Sequence, residues 1–355
     1  MTSRDEALAA LASVIDPELR RPITELGMVG ELTGSTIDIK LTIPTCPAAK
    51  KIESEANQAI ESLGLKVNLT SMNQDERNAL KEQLRNGKAP RTNPFDENSL
   101  TRIFLVGSGK GGVGKSTLTA NLAVALADQG FSVGLIDADV FGYSIPGQLG
   151  ITDKPTQLDE MILPPVAFGV KVISIGMFVD GSQAVAWRGP MLHRTVEQFL
   201  KDVFWGQLDY LLIDMPPGTG DVAISLGQNL PTARSLVVTT PQTAAAEVAL
   251  RSGALGLQTG QSVFGVIENM SWLESQDGSR MEIFGSGGGQ AVAKHLETSL
   301  LGQVPISISL REGSDQGKPV VLANPDDPAS IAIKSVAKKM AEVKLDLKGK
   351  TIPMA

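Results

Sequence analysis

The residues with the clearest chemical meaning lie in segment 109–117, which reads G-K-G-G-V-G-K-S-T. Its spacing matches G-x-x-x-x-G-K-[ST], the pattern of a loop that binds the phosphates of a nucleotide. Glycines let the backbone wrap around a triphosphate, Lys115 can reach the β- and γ-phosphate oxygens, and the Ser116 hydroxyl can ligate Mg²⁺. The residues predicted to bind nucleotide here are Gly109, Lys110, Gly111, Gly112, Val113, Gly114, Lys115, Ser116 and Thr117.

The sequence on both sides of this loop supplies the context that the motif requires. The apolar run 103–106 predicts a strand before the loop, and residues 118–128 predict a helix after it. Such a helix points the positive end of its dipole at the bound anion. A glycine-rich turn without a ligand is therefore the less favoured interpretation.

Carboxylates follow two further apolar runs. The run 132–136 leads into D-A-D at 137–139, and the run 210–213 leads into Asp214. Both runs predict buried parallel strands, and ligands of such sheets gather at the carboxyl ends of the strands. A single Asp at a strand end is more often a turn or cap residue, but several beside a phosphate loop favour a ligand role. Asp214 is therefore predicted to bind Mg²⁺ together with Ser116.

The segment 215–221, M-P-P-G-T-G-D, is rich in proline and glycine and predicts a shaped loop next to the γ-phosphate. Loops at this position in nucleotide hydrolases are ordered by contacts to the γ-phosphate and released on hydrolysis. A rigid turn is the alternative. The candidate switch residues are Gly218, Thr219, Gly220 and Asp221.

With these motifs, the chain resembles the Mrp/ApbC group of iron-sulfur cluster carrier ATPases, a branch of the MinD/ParA-like P-loop ATPases. The matching segments are 109–117, 137–142 (D-A-D-V-F-G), 187–191 (W-R-G-P-M), 214–221 and 268–271 (E-N-M-S).

This resemblance implies a homodimer that sandwiches two nucleotides, with Lys110 contacting phosphate across the subunit interface. It also implies that Asp139 positions the attacking water and that Asn269 recognises adenine. From the residues alone, Lys110 is a second cation in an anion-binding loop. Asn269 could equally be a turn residue after the predicted strand 264–267.

The N-terminal part is similar to the small α/β domain of iron-sulfur assembly proteins, through D-P-E-L at 16–19, E-L-G-M-V at 25–29 and T-I-P-T-C-P at 42–47. Periodicity predicts helices over 7–15 and 48–63 and strands over 36–41 and 66–71. The fold class that follows is α/β, a P-loop NTPase with a mostly parallel, doubly wound sheet, preceded by a small α/β domain. The predicted divisions are a small domain 1–84, a linker 85–100, an ATPase domain 101–343 and a C-terminal tail 344–355.

One departure from the resemblance concerns the cluster ligands. Cluster-carrying members place a Cys-x-x-Cys pair after the Asn-Met-Ser motif, whereas segment 272–281 contains no cysteine and the whole chain has only Cys46. Clusters are held chiefly by thiolates. Cys46 is either a small buried hydrophobe or a thiolate, on a turn between a strand and a helix, that ligates iron or hands over sulfur-bound cargo.

Composition excludes several classes of function. A net charge of −7 argues against nonspecific nucleic-acid binding, and two histidines argue against a multi-histidine zinc site. One cysteine suits a reducing compartment, and with neither a signal peptide nor a run of about 18 apolar residues we expect a cytoplasmic protein. The lysine-rich segment 331–350 could bind a membrane surface, but a last surface helix over 329–343 is the simpler interpretation.

The sequence therefore predicts a Mg²⁺-dependent ATP hydrolase with catalytic residues Lys110, Lys115 and Asp139. By resemblance, it would work with iron-sulfur assembly proteins and transfer iron-sulfur clusters to apoproteins. The alternative is a nucleotide-dependent dimeric switch that carries no cluster and docks a client or a membrane.

Overall fold

The computed structural model describes residues 3–44, 46–85, 93–139, 142–178, 189–218, 226–227, 229–258, 260–275 and 277–343. The chain divides into two compact units, each of which is built from three separate stretches of the sequence. The first unit comprises residues 1–92, 153–166 and 202–206, and the second comprises 93–152, 167–201 and 207–355.

The described secondary structure begins with α1 (Arg4–Leu11), β1 (Val29–Thr33), β2 (Thr36–Leu41), α2 (Ala49–Ile60), β3 (Lys66–Ser71) and α3 (Gln74–Arg85). It continues with β4 (Arg102–Ser108), α4 (Lys115–Asp128), β5 (Val133–Asp137), α5 (Ile145–Gln148), β6 (Thr156–Leu158), β7 (Met161–Leu163), β8 (Val166–Ala167), β9 (Val170–Ser174), α6 (Gly189–Lys201), β10 (Tyr210–Asp214) and β11 (Arg234–Thr239). The last elements are α7 (Thr243–Gln258), β12 (Ser262–Glu274), β13 (Arg280–Met281), α8 (Gly288–His295), β14 (Leu300–Ile306), α9 (Ile308–Asp315), α10 (Val320–Ala323) and α11 (Pro328–Ala341).

The first unit contains a three-stranded sheet in the order β1-β2-β3, antiparallel between β1 and β2 and parallel between β2 and β3. Alternation along β2 buries Ile37, Ile39 and Leu41, as the period of two predicts. The first helix is shorter than its apolar spacing predicts. It ends at Leu11, and Ile15 instead forms an isolated bridge with Pro22.

The second unit is built on a sheet whose described strands run β13-β12-β11-β4-β10-β5-β9-β8, with β14 paired to β12. The pairs among β12, β11, β4, β10, β5 and β9 are parallel, and β13 joins β12 antiparallel. Every residue of β5, β9 and β10 is buried, which explains why β5 and β10 appear in the sequence as apolar runs that end at an aspartate. The predicted α/β P-loop fold with a mostly parallel sheet is confirmed.

The register of this sheet brings the chemical residues to one edge. Asp214 is paired in register with Asp137 on one side and with Val106 on the other. The strand β4 therefore ends beside β10, and the glycine-rich loop leaves β4 next to both carboxylates. This placement depends on the apolar runs, because a slip of one residue would move every side chain to the opposite face.

Both ends of the predicted linker 85–100 belong to folded structure. Its first residue, Arg85, ends α3, and Phe95 is only 2% exposed. Asn93 donates through Nδ2 to the carbonyl oxygen of Asn229 at 3.0 Å, so the end of this segment packs within the second unit. Residues 86–92 lie outside the described residues.

A hairpin from the middle of the chain completes the core of the first unit. β6 and β7 pair antiparallel, and Leu158, Met161 and Leu163 are buried in the same apolar cluster as Ile39 and Ile52. Glu18, which is 8% exposed, accepts a hydrogen bond from Thr156 Oγ1 at 2.7 Å. Burial chiefly raises the pKa of Glu18 to about 7, partly opposed by this hydrogen bond and reinforced by Asp16 and Asp153.

The C-terminal helix α11 agrees with the interpretation as a last surface helix. It buries Ile333, Val336 and Met340 while Lys338 stays exposed, and Lys339 donates to the carbonyl oxygen of Leu301 at 2.6 Å. Among the described residues, no helix combines the length and apolar character needed to cross a membrane. The predicted tail 344–355 lies outside the described residues.

Replacing Glu18 by Gln tests the electrostatics of this core. A carboxyl with a raised pKa binds its proton more tightly in the folded state, so the wild type loses stability as the pH rises from about 4.5 to 7. Glu18→Gln keeps an acceptor for Thr156 but cannot ionise. Between about pH 5 and pH 8 its free energy of unfolding should fall by roughly 1–3 kcal/mol less than that of the wild type. Denaturant unfolding of both proteins at the two pH values measures this, and equal losses would contradict it.

Candidate functional site

The glycine-rich loop between β4 and α4 has the backbone that the motif requires. Gly112 and Gly114 have φ values of 80° and 78°, in the left-handed region where L side chains are strained. A Cβ on Gly109 would lie 2.3 Å from the backbone carbon of Val248 in α7, so this position has no room for a side chain. The loop is therefore fixed both by its own conformation and by the helix behind it.

Asp214 is the centre of the hydrogen-bond network below the loop. Lys115 Nζ and Ser116 Oγ each donate to Asp214 Oδ2 at 2.6 Å, and Thr119 Oγ1 lies 2.8 Å from Asp214 Oδ1. Asp214 is fully buried, and Lys115 is 6% exposed. The negative charge of this buried carboxylate is stabilised because an ammonium group and two hydroxyls lie within hydrogen-bond distance of its oxygens. The predicted lysine, serine and aspartate thus come together although they are far apart in the sequence.

Asp137 and Asp139 lie at the neighbouring strand end. The backbone nitrogen of Asp139 donates to Asp137 Oδ1 at 3.2 Å, and Ser174 Oγ donates to Asp137 Oδ2 at 3.1 Å. Burial, and then the charge of Asp214, raises the pKa of Asp137 to about 7. Asp139 is 9% exposed and accepts from the backbone nitrogen of Gly142 at 3.0 Å, so its carboxylate is oriented by the start of the next loop.

The glycine-rich loop and Asp139 line one cavity of about 450 Å³. Its lining includes Lys110, Lys115 and Ser116 of that loop, and Asp139, Ser144 and Gln148 from after β5. Cations, hydroxyls and backbone N–H groups in one concave site suit a phosphorylated ligand.

Lys110 is held beside the cavity by a residue that the sequence did not single out. Its Nζ donates to Gln242 Oε1 at 3.1 Å, and its carbonyl oxygen accepts from Ser108 Oγ at 3.0 Å. Gln242 directly precedes α7, the helix whose backbone contacts Gly109. Lys110 therefore has a partner within its own chain.

Asn269 packs against the glycine-rich loop itself. It lies within β12, which runs on to Glu274, well beyond the predicted strand end at residue 267. Its Nδ2 donates to the carbonyl oxygen of Val113 at 2.9 Å, and a Cβ on Gly114 would come within 2.3 Å of that nitrogen. In this arrangement the side-chain amide fixes the loop, while its predicted role with adenine stays a prediction.

The candidate switch is only partly within the described residues. Gly218 has a φ of 92°, and its backbone nitrogen donates to the carbonyl oxygen of Ser108 at 2.9 Å, which ties this loop to the end of β4. Thr219, Gly220 and Asp221 lie outside the described residues, as do Trp187 and Arg188 of the segment 187–191.

Cys46 lies in the first unit and is 6% exposed. Burial, and then the charge of Glu18, raises the pKa of its thiol to about 11, while Thr42 and a backbone hydrogen bond from Ala48 oppose the shift. The burial and the raised pKa favour the buried-hydrophobe alternative for Cys46 over the thiolate alternative. Within the described part of the chain, no group of three His, Cys, Asp or Glu side chains is arranged to hold a metal ion.

Sequence reasoning missed Thr119, Gln242 and the hydrogen-bonding role of Asp137. Thr119 could have been found, since it lies one helical turn after Lys115 on the same helix face. Gln242 carries no local signal, because its contact with Lys110 spans 132 positions.

Two family models match the chain. Residues 99–341 match the NUBPL iron-transfer P-loop NTPase family, and residues 4–71 match the iron-sulfur cluster assembly protein family. The two matched stretches correspond to the two parts of the sequence in which the motifs were found.

Individual relatives agree with these families. The iron-sulfur cluster carrier protein of Mycobacterium tuberculosis is 49% identical over 359 residues, covering 97% of this chain and 94% of that protein. A solved nucleotide-binding protein from Archaeoglobus fulgidus, in complex with ADP, is 36% identical with a TM-score of 0.56, covering 64% of this chain and 92% of that one. The septum site-determining protein MinD of Pyrococcus horikoshii, complexed with Mg-ADP, is 25% identical with a TM-score of 0.54, covering 70% and 98%.

The matched residues include the glycine-rich loop, the strand-end carboxylates and the sheet that joins them, and they cover most of the chain. The chain belongs to the NUBPL family of iron-transfer P-loop NTPases, with an N-terminal iron-sulfur cluster assembly domain.

Proposed function

We propose that this protein is a Mg²⁺-dependent ATP hydrolase that carries iron-sulfur clusters to apoproteins. The observation that carries the catalytic part is the buried contact of Lys115 and Ser116 with Asp214, at the edge of a cavity that Asp139 also lines. The carrier part is supported by relatives that are named iron-sulfur cluster carrier proteins.

The residues present fit a magnesium ion. Ser116 Oγ and Asp214 Oδ2 lie 2.6 Å apart, and a hydroxyl with a carboxylate is the kind of oxygen donor set that Mg²⁺ uses together with phosphate oxygens. When bound, the ion would offset the negative charge of the phosphate groups during hydrolysis. Asp214 and Ser116 are the residues proposed to hold it.

Each side chain of the site would have a separate role in ATP hydrolysis. Lys115 would leave Asp214 for the β- and γ-phosphate oxygens and stabilise charge that develops on them. Asp139, already oriented by Gly142, would hold the water in line with the γ-phosphate. Lys110 would supply a second cation, and we propose that it reaches the nucleotide of the partner subunit in a homodimer. That step requires Lys110 to leave Gln242.

Two further roles belong to the same proposal. Asn269 would recognise adenine, and the loop containing Gly218, Thr219, Gly220 and Asp221 would change with the state of the γ-phosphate. The hydrogen bond from Gly218 to Ser108 supports the second role, because it joins this loop to the start of the phosphate loop.

The cluster would be cargo of this protein and not a resident cofactor. Since Cys46 is the sole cysteine, a symmetric dimer offers at most two thiolates to a cluster, and the remaining ligands would come from the assembly protein or the apoprotein client. A second candidate function is a nucleotide-dependent binding switch without cargo. The observation that favours it is segment 272–281, which has no cysteine where cluster-carrying members have two.

Removing the loop lysine tests the ATP site. Lys115→Ala should lower the rate of ATP hydrolysis by roughly 100-fold or more, because a cation at the transferred phosphoryl group is lost. Lys338→Ala, which removes an exposed lysine of α11, is the control and should hydrolyse ATP at the wild-type rate. Phosphate release measures both, and a Lys115→Ala protein of normal activity would refute the site.

Thr119 is proposed as a positioning residue for Asp214. Thr119→Val should raise the Mg²⁺ concentration needed for half-maximal ATP hydrolysis by about tenfold, since one hydrogen bond to a buried carboxylate is lost. Thr119→Ser should restore it. A purely structural role would instead lower thermal stability and leave the Mg²⁺ dependence unchanged in both variants.

Cargo binding is tested by anaerobic reconstitution with iron and sulfide. Wild-type protein should gain the visible absorbance of a cluster and activate an apoprotein acceptor, while Cys46→Ser should lose both because a thiolate ligand is missing. Wild-type protein that takes up no cluster, yet hydrolyses ATP, would support the cargo-free switch instead.

A further inference from the structure

Two hydrogen bonds set the position of Asp139, the residue proposed to hold the attacking water. Its backbone nitrogen donates to Asp137 Oδ1 at 3.2 Å, and its Oδ1 accepts from the backbone nitrogen of Gly142 at 3.0 Å. A Cβ on Gly142 would lie 3.1 Å from Asp139 Oδ2, so the carboxylate lies close against the glycine backbone. The direction of this carboxylate therefore depends on what fixes Asp137 and Gly142.

Asp137 is fixed by a serine of the neighbouring strand. Ser174, the last residue of β9, is fully buried and pairs in register with Asp137 of β5. Its Oγ donates to Asp137 Oδ2 at 3.1 Å and accepts from the backbone nitrogen of Gly176 at 3.1 Å. The backbone nitrogen of Ile145 donates to the same carboxyl oxygen at 3.3 Å. One hydroxyl thus joins Asp137 to the turn that follows β9.

Gly142 is fixed through the next residue of the chain, Tyr143. A Cβ on Gly176 would lie 2.2 Å from Cδ2 of the Tyr143 ring, so the ring packs on bare glycine backbone. The Tyr143 side chain is 40% exposed, and Tyr143 is not one of the described residues that line the nucleotide cavity. Any effect of this ring on hydrolysis must therefore be indirect, through the position of Gly142.

These contacts form a closed ring around Asp139, and residues 174–176, which read S-I-G, supply one side of it. We call these three residues the S-I-G turn. Its serine holds the chain before Asp139, and its glycine holds the chain after it. In such a network the loss of one contact is felt by the other members. The members of the ring are Asp137, Asp139, Gly142, Tyr143, Ser174 and Gly176.

We propose that the S-I-G turn positions Asp139 for ATP hydrolysis, which makes Ser174 and Gly176 positioning residues of the ATP site. A misplacement of about 1 Å at a reacting group can cost about 100-fold in rate, so an anchor of this kind has a large effect on turnover. Neither residue is among the described residues that line the nucleotide cavity, so nucleotide affinity should not depend on them. The effect on hydrolysis rests on the proposed function of Asp139, but the fixing of Asp139 by the turn does not.

Removing the Ser174 hydroxyl tests the first anchor. Ser174→Ala should lower kcat for ATP hydrolysis by about tenfold and change the dissociation constant of Mg-ADP by less than about twofold. Ser174→Thr keeps the hydroxyl and should restore most of the rate. Ser330→Ala is the control, because Ser330 is equally buried and its Oγ has no hydrogen-bond partner among the described residues. An unchanged kcat in Ser174→Ala, or a loss confined to nucleotide affinity, would overturn the proposal.

A double-mutant cycle shows whether Ser174 acts through Asp139. In an Asp139→Ala protein, adding Ser174→Ala should cause no further loss of kcat, because the residue that the hydroxyl positions is already missing. Losses that multiply in the double variant would mean that Ser174 acts by another route and would contradict the proposal.

The contact between the ring and the glycine is tested at an exposed position, where substitution leaves the fold intact. Tyr143→Ala should lower kcat by about threefold or more, whereas Tyr143→Phe keeps the ring and should keep the rate. Gly176→Ala should also lower kcat, because its new Cβ displaces the ring. The double variant should be no slower than Tyr143→Ala, since the clash is then absent. Independent, multiplying losses would overturn the role of Gly176.

Hydrogen exchange separates the position of Asp139 from the ATPase activity. In Ser174→Ala, the backbone amides of Asp139 and Gly142 should exchange about tenfold faster than in the wild type, while those of α11 stay unchanged. If the wild type hydrolyses ATP and Ser174→Ala changes neither exchange nor turnover, this inference fails and the proposed function stands. If the wild type does not hydrolyse ATP, the proposed function fails, and the exchange rates alone decide whether the turn fixes Asp139.

Discussion

The buried carboxylate of Asp214 is the constraint on which the rest of the site depends. It has no contact with solvent, so each oxygen must be met by a donor from the glycine-rich loop or from the first turns of α4. Those donors are in place only if β4 and β10 are paired in one register and the loop turns sharply at Gly112 and Gly114. Sheet register, loop conformation and helix start are thus not independent features, because an error in any of them would leave a charge unpaired in the interior.

Features that depend on residues close together in the sequence could be predicted from the sequence alone. The loop, its flanking strand and helix, and the carboxylates after two apolar runs could all be predicted, because each depends on residue type and spacing over a short stretch. The strands Thr36–Leu41 and Lys66–Ser71 were predicted with the bounds that the structure has. The convergence of Asp214 with Lys115 could also be inferred, since parallel sheets collect their strand ends at one edge.

Features that depend on long-range packing could not be predicted in this way. No local pattern shows that Gln242 meets Lys110, that Asn269 fixes Val113, or that a hairpin near residue 160 belongs with the N-terminal sheet. The extension of β12 past Asn269 was missed for the same reason, because its pairing with β13 and β14 decides where it ends. The cluster that contains Cys46 combines near neighbours such as Leu41 and Ala48 with distant residues such as Leu158, and only the near ones could be inferred from a local pattern.

The shared core of the first unit also has a consequence for how the protein is made. Residues 1–92 leave the ribosome well before residues 153–166 and 202–206, so the N-terminal sheet emerges without Leu158, Met161 and Leu163, which complete its apolar cluster. Non-local contacts of this kind slow folding and leave apolar surface exposed in the interval. The apolar cluster of the nascent N-terminal part therefore stays incompletely buried until residues 153–166 and 202–206, which follow the phosphate loop in the sequence, have been synthesised. The first unit can complete its core only after much of the second unit has been translated.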